Sequence, residues 1–218
     1  MSDDLRIEVS GETLILLGER AVYWPKRETL LIADTHWGKA ATMRAAAIAV
    51  PSGTTAESLG RLDRVLDRTG ARRLALLGDC IHAREGYAPS TVRTINDWRT
   101  RRASIAIKLV RGNHDQRAGD PPPGFEFHYV DAPLIDSPFV FQHFPRPSED
   151  GYTLAGHLHP AIRVHGPAAQ SATLPCFWFT ESFGVLPAFG SLTGTAKIKR
   201  EPNDRVFGIA GGEVIEVD

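Results

Sequence analysis

Five apolar runs in this chain end on residue types that can ligate metal ions. TLLIA (29–33) gives way to Asp34-x-His36, and RLALL (73–77) to Gly78-Asp79 with His82 shortly behind. IAIKLV (105–110) leads into Arg111-Gly112-Asn113-His114-Asp115, FVFQ (139–142) into His143, and YTLA (152–155) into Gly156-His157-x-His159. Any one of these endings is an ordinary turn, but six of the eight histidines fall at or just beyond them. Asp and Asn offer hard oxygens and His a borderline nitrogen, a mixture suited to manganese, iron or zinc rather than calcium. Asp34, His36, Asp79, Asn113, His143, His157 and His159 supply about the seven ligands that two divalent ions need if one carboxylate bridges them, about 3.5–4 Å apart. Gly78, Gly112 and Gly156 each precede a candidate ligand, where a residue without Cβ permits a sharp turn and close approach of backbone and phosphate.

These residues must be carried to one place, and the pattern between them says how. Apolar runs of strand length with no polar alternation read as strands buried on both faces. Leu59, Leu62 and Leu66 recur at helical spacing, Thr54 and Glu57 suggest a capping box, and Gly70 stands where a C-terminal cap belongs. Val92, Ile95 and Trp98 after a Ser90 cap predict a second helix, and KAATMRAAA supplies helix formers past the first polar cluster. The N-terminal half therefore reads β-α-β-α-β, an α/β arrangement whose sites form at the carboxyl ends of the strands. From about residue 120 loops replace helices, and the later strands are expected to complete a second sheet on the same core. No linker divides the chain, so a single domain over residues 1–218 is expected.

Composition narrows the classes. A 218-residue chain that is 42% hydrophobic can bury one sizeable core, and its net charge of −1 gives no global field for a polyanion. The basic clusters at 99–108 and 197–201 read as solvated faces. Acidic residues stand at the N-terminus where a signal peptide carries Lys or Arg, and no run approaches a membrane span, so a cytoplasmic protein with no membrane partner is expected. Cys80 and Cys176 are too few for a disulfide framework or a four-thiolate site.

The order D-x-H, GD-x-x-H, GNHD, H, GH-x-H over residues 34–159 resembles the calcineurin-like metallophosphoesterase superfamily. That resemblance implies two mixed β-sheets packed face to face and flanked by helices, an αββα sandwich around a binuclear centre. It implies Asp34, His36, Asp79 and His159 on one ion and Asp79, Asn113, His143 and His157 on the other, with Asp79 as the bridge. It also implies His114 as the catalytic acid and His82 as a group that positions substrate. The stretches YWPKRETLLIADTHWGKAATMRAAAIAVPSGTT, LPCFWF, VLPAFGSLTG and DRVFGIAGGEVIEV are similar to the bacterial ligase-associated metallophosphoesterases, encoded beside a repair helicase, an exonuclease and a DNA ligase. This second resemblance implies a manganese-dependent phosphodiesterase that acts as a DNA endonuclease in repair, with metal-activated hydroxide attacking phosphorus in line. A small-molecule phosphoesterase, for cyclic nucleotides or phosphomonoesters, is the alternative.

One departure stands out. Many superfamily phosphatases carry Asp where this chain has His82, and that Asp orients the histidine equivalent to His114. Asp115 is the candidate replacement. Cys80 reads as a small buried filler, since a thiolate among oxygen ligands would favour softer metals. His128 competes with His143 for the fourth motif, but His143 ends an apolar strand and precedes FPRP. His165 lies in a segment without cues. Trp37 and Lys39 read equally as packing and solvated amine or as substrate contacts.

Overall fold

Why the apolar runs lack alternation is visible in the first sheet. In β4 (Thr29–Ile32), Leu30 and Ile32 pack among helices while Leu31 packs towards a second sheet; in β5 (Arg73–Leu76), Leu74 and Leu76 face the helices and Ala75 the other way. Each strand is buried on both faces, so both sets of side chains are apolar. The computed structural model describes residues 4–131, 133–165 and 171–217.

An antiparallel meander of β1 (Leu5–Val9), β2 (Glu12–Leu17) and β3 (Ala21–Trp24) leads into β4. Then β4, β5, β6 (Ala106–Val110) and β7 (His128–Val130) run parallel, giving seven strands in sequence order. The second sheet has nine strands: β8 (Leu134–Asp136), β9 (Phe139–Phe141), β10 (Tyr152–Ala155), β11 (Pro160–His165), β12 (Ser171–Phe179), β13 (Phe183–Val185), β14 (Ala196–Lys197), β15 (Arg205–Ala210) and β16 (Glu213–Val217). Their order is β14-β11-β12-β13-β10-β9-β8, with β15 paired to β12 and β16 to β15. Two mixed sheets flanked by helices is the expected fold class.

The helices are α1 (Lys39–Ala45), α2 (Thr54–Thr69), α3 (Pro89–Arg101) and α4 (Asn113–Ala118). Leu59, Leu62, Val65 and Leu66 of α2 and Ile95 and Trp98 of α3 bury against the outer face of the first sheet. Each fully buried Leu or Val there contributes about 1.5–3 kcal/mol. Between the sheets lies a second core that includes Leu31, Leu77, Phe139, Phe141, Phe177 and Phe207. The helix ends differ in detail from the expectation. The N-cap of α2 is Gly53 and that of α3 is Ala88, neither with a side-chain cap bond, while Gly70 does close α2 in the left-handed conformation at φ 66°. Of the 99–108 basic cluster, Arg102 is taken up by Asp63 (2.6 Å) and Asp67 (2.6 Å), clamping α3 to α2. No helix among the described residues is long and apolar enough to cross a membrane.

Candidate metal centre

Parallel pairing brings the carboxyl ends of β4, β5 and β6 to one rim, and backbone hydrogen bonds carry that alignment into the loops. Asp34 N–H donates to Gly78 O (3.1 Å), His36 N–H to Asp79 O (2.9 Å) and Trp37 N–H to Cys80 O (2.8 Å). The second sheet joins at the same rim: Phe189 N–H donates to Ala33 O (2.8 Å), Gly190 N–H to Asp34 O (3.1 Å) and Gly156 N–H to His143 O (3.2 Å). Asp34, His36, Asp79, His157 and His159 all have positive φ, at 53, 44, 50, 72 and 48°. Asp and His tolerate this region better than most residues, yet each instance costs on the order of 1–3 kcal/mol. Such cost persists only where surrounding structure fixes it, and here it turns five side chains into one cleft.

Each buried carboxylate is held by one oxygen and offers the other. Asp79 Oδ1 accepts from His114 N–H at 2.9 Å, while Oδ2 faces Nε2 of His143 (3.3 Å), His36 (3.9 Å) and His114 (4.0 Å). Asp34 Oδ2 accepts from His157 N–H at 2.9 Å, while Oδ1 is buried without a hydrogen-bond partner, 3.6 Å from His159 Nε2. Burial opposes ionisation of Asp79, but the hydrogen bonds and charge of His143, with the His114 amide, hold its pKa down to about 2.

The imidazoles follow a parallel rule. His143 Nδ1 lies 3.0 Å from Leu77 O and His159 Nδ1 3.1 Å from Gly194 O; as N–H groups they donate there, which leaves Nε2 lone pairs facing the cleft. His36 Nδ1 meets His82 Nδ1 at 3.1 Å, and burial pushes the His36 pKa down to about 3, so its ring is neutral. Ring nitrogens crowd across the cleft: His36 Nε2 to His159 Nε2 at 3.4 Å, and His143 Nε2 to His157 Nδ1 at 3.1 Å and to Asn113 Oδ1 at 3.2 Å. Converging lone pairs and an orphaned carboxylate oxygen are what a cation would satisfy. Three such groups exist among the described residues: Asp34, His36 and His159; Asp79, His143 and His157; and His36, His82 and His114.

All seven candidate ligands and both candidate catalytic histidines thus meet in one cleft. The glycines are needed for a reason nearer than phosphate. A Cβ on Gly78 would lie 2.2 Å from His143 Nδ1, and one on Gly112 2.2 Å from Asp79 Oδ1, so the backbone makes room for the candidate ligands themselves. Asp115 does not orient His114. Its oxygens accept from Ile81 N–H and Gly112 N–H, both at 2.9 Å, bracing two loops. His114 Nδ1 instead lies 2.6 Å from the carbonyl oxygen of His82, and the two rings stack at 4.7 Å. The residues missed from sequence are these backbone carbonyls of Leu77, His82 and Gly194, which carry no side-chain signature.

The remaining candidates resolve simply. Trp37 is core, with Nε1 donating to Ser58 Oγ at 3.0 Å, and Cys80 is buried with its thiol pushed well up by burial. Lys39 borders the cleft beside Thr35, His36 and Ser58, its amine pushed down by burial. His128 and His165 lie exposed on β7 and β11.

No family model matches the chain, and no curated protein does. Among solved structures it is similar to the Pseudomonas putida nuclease MPE, at 39% identity and a TM-score of 0.87 over 99% of this chain and 100% of that one. It is also similar to Yfce, a phosphoesterase from E. coli, at 15% identity and a TM-score of 0.44 over 87% of this chain and 97% of that one, a distance that supports no functional argument.

Proposed function

The chain belongs to the family of metallophosphoesterase-type nucleases and is a hydrolytic phosphoesterase, and from that premise we propose that it is a DNA endonuclease that uses two divalent ions, manganese before iron or zinc. One observation carries the reading: Asp79 Oδ2 stands between Nε2 of His36 and of His143, while buried Asp34 Oδ1 waits without a partner. Asp34, His36, Asp79 and His159 would hold one ion, and Asp79, Asn113, His143 and His157 the other. Bound there, the ions would supply Lewis-acid activation of water and neutralise charge at phosphorus.

The chain's own groups do the rest. The His114 amide fixes the bridging carboxylate, and the His82 carbonyl holds Nδ1–H of His114, so that its Nε2 is free for proton transfer. As imidazolium, His114 would give its proton to the leaving oxygen. With Nδ1 of His82 occupied by His36, its Nε2–H is left to steady a diester oxygen. A single domain, a cytoplasmic setting and a role in repair beside a helicase, an exonuclease and a DNA ligase complete the proposal; the first is supported by chain length and the lack of a linker, the second by the acidic N-terminal residues, and the third by the flanking segments' resemblance to the ligase-associated proteins.

The test is a metal screen of purified protein against circular single-stranded DNA, RNA, and a chromogenic monoester and diester. Manganese-dependent cutting of the circle, with diester favoured over monoester, is expected. Activity confined to the monoester or to cyclic nucleotides would replace this reading with the small-molecule one, and cutting of linear strands alone would mean an exonuclease.

A further inference from the structure

Among the described residues, four large apolar side chains are left exposed, Ile48, Ile135, Ile215 and Phe144, and the one aromatic of the four stands at the metal centre. Phe144 is 37% exposed. Its ring centroid lies 4.5 Å from that of His157 and 4.9 Å from that of His143, two candidate ligands of the same ion. The exposed Arg146 guanidinium sits 5.5 Å from the Phe144 ring centre. The FPRP loop that presents both is stiff. Pro145 and Pro147 restrict it, and the Arg146 carbonyl accepts from Gln142 Nε2 (2.6 Å) and Thr153 Oγ1 (2.8 Å).

Resting on the nuclease reading above, we infer that Phe144 is a stacking platform for a nucleobase beside the cleaved phosphate, and that Arg146 holds a neighbouring phosphate. A nucleotide whose phosphate lies at the metal centre carries its base within a few ångströms, and every base has a π-face that an aromatic ring can take, whatever the sequence. The cation–π contact holds the guanidinium at the rim while its N–H groups remain free to grip phosphate. Because the loop is fixed before substrate arrives, little ordering entropy opposes the contact.

The experiment compares Phe144→Ala, Phe144→Leu and Phe144→Tyr on two substrates, a single-stranded oligonucleotide cut at a mapped position and a small chromogenic diester, with bound metal measured for each. Stacking of one base corresponds to about 5- to 150-fold, so Ala and Leu should each lower kcat/KM on the oligonucleotide by about tenfold while Tyr retains it. Turnover of the small diester and metal content should hold for all three. Replacing the flanking nucleotide by an abasic one should cost wild-type protein the same factor and cost Phe144→Ala nothing more. Arg146→Ala should flatten the salt dependence of oligonucleotide binding by about one phosphate contact. Rescue by Leu, or equal losses on both substrates with metal missing, would make Phe144 a packing cover for the histidines and overturn the inference. Wild-type protein that cleaves the small diester but no oligonucleotide would overturn the nuclease reading itself.

Discussion

Gly112→Ala isolates the geometry of the Asp79 carboxylate, the proposed bridge. Gly112 has φ −90° and ψ 176°, where alanine is at ease, so the substitution brings no backbone strain. What it brings is a methyl group 2.2 Å from Asp79 Oδ1 and 2.5 Å from Asp79 N. An ordinary carbon–oxygen contact is about 3.5 Å, so the carboxylate must shift by about 1 Å. That breaks the 2.9 Å hydrogen bond from His114 N–H, a bond to a charged group worth about 1.5–3 kcal/mol. It also exceeds the tolerance of about 0.2 Å on metal–ligand distances, and a 1 Å displacement in a catalytic array costs about 10² in turnover. The expected result is destabilisation of about 2 kcal/mol in urea unfolding, with diester turnover down about a hundredfold and weakened manganese binding by calorimetry. Gly60→Ala is the matched control. The nearest atom to its Cβ is Arg64 Nη1 at 4.0 Å, and in mid-helix it should stabilise by about 0.5–1 kcal/mol without touching activity. If Gly112→Ala keeps wild-type turnover and metal affinity, Asp79 is not held as described and the account of the centre fails.

Asp79→Ala removes a ligand common to both proposed ions, so a folded variant should lose diester hydrolysis and metal content together; elemental analysis and kinetics check this, and two retained ions would exclude a bridging role. His114→Ala should lower turnover by about 10²–10⁴ while metal content holds. His82→Ala, by contrast, deprives His36 Nδ1 of its partner at 3.1 Å and should also weaken metal binding by about 10–100-fold, read by manganese titration; unchanged binding would leave His82 a substrate contact only. Burial lowers the pKa of His36 to about 3 and of His82 to about 4, so the unfolded chain binds protons that the metal-free fold does not. Stability should therefore rise with pH across about 3 to 6.5, less steeply for the Asp115 carboxyl that burial pushes up to about 6, and decline above that window as His143 and His159, held up against burial by Asp79 and Asp34, lose their protons; urea midpoints that fall with rising pH between about 3 and 6.5 would contradict the burial of the His36 and His82 rings. Cys80 and Cys176 are both buried with thiols pushed up, the latter to about 12, so a thiol reagent should label neither in native protein and both after denaturation.

The sequence alone determined which residues gather and which strands bring them. Asp34, Asp79, Asn113, His143 and His157 follow runs such as TLLIA and FVFQ, and apolar runs this short, closed by turn residues, read as interior strands, whose carboxyl ends are where loops meet. The α2 helix was equally plain from the spacing of Leu59, Leu62 and Leu66 and from Gly70, because periodicity and a left-handed cap are local properties. The meander of β1 to β3 went unread in the sequence, and its pairing with β4 is fixed by contacts that no local signal records. Tertiary structure alone decided the roles around the centre. With His82 in place of the superfamily's Asp, Asp115 stood as the candidate to orient His114, yet helix geometry turns its carboxylate back onto Ile81 and Gly112, and the carbonyl of His82, from another strand's loop, accepts the Nδ1–H of His114 instead. A backbone carbonyl is the same atom in every residue, so its use as a partner is set by where the chain runs and not by what the residue is.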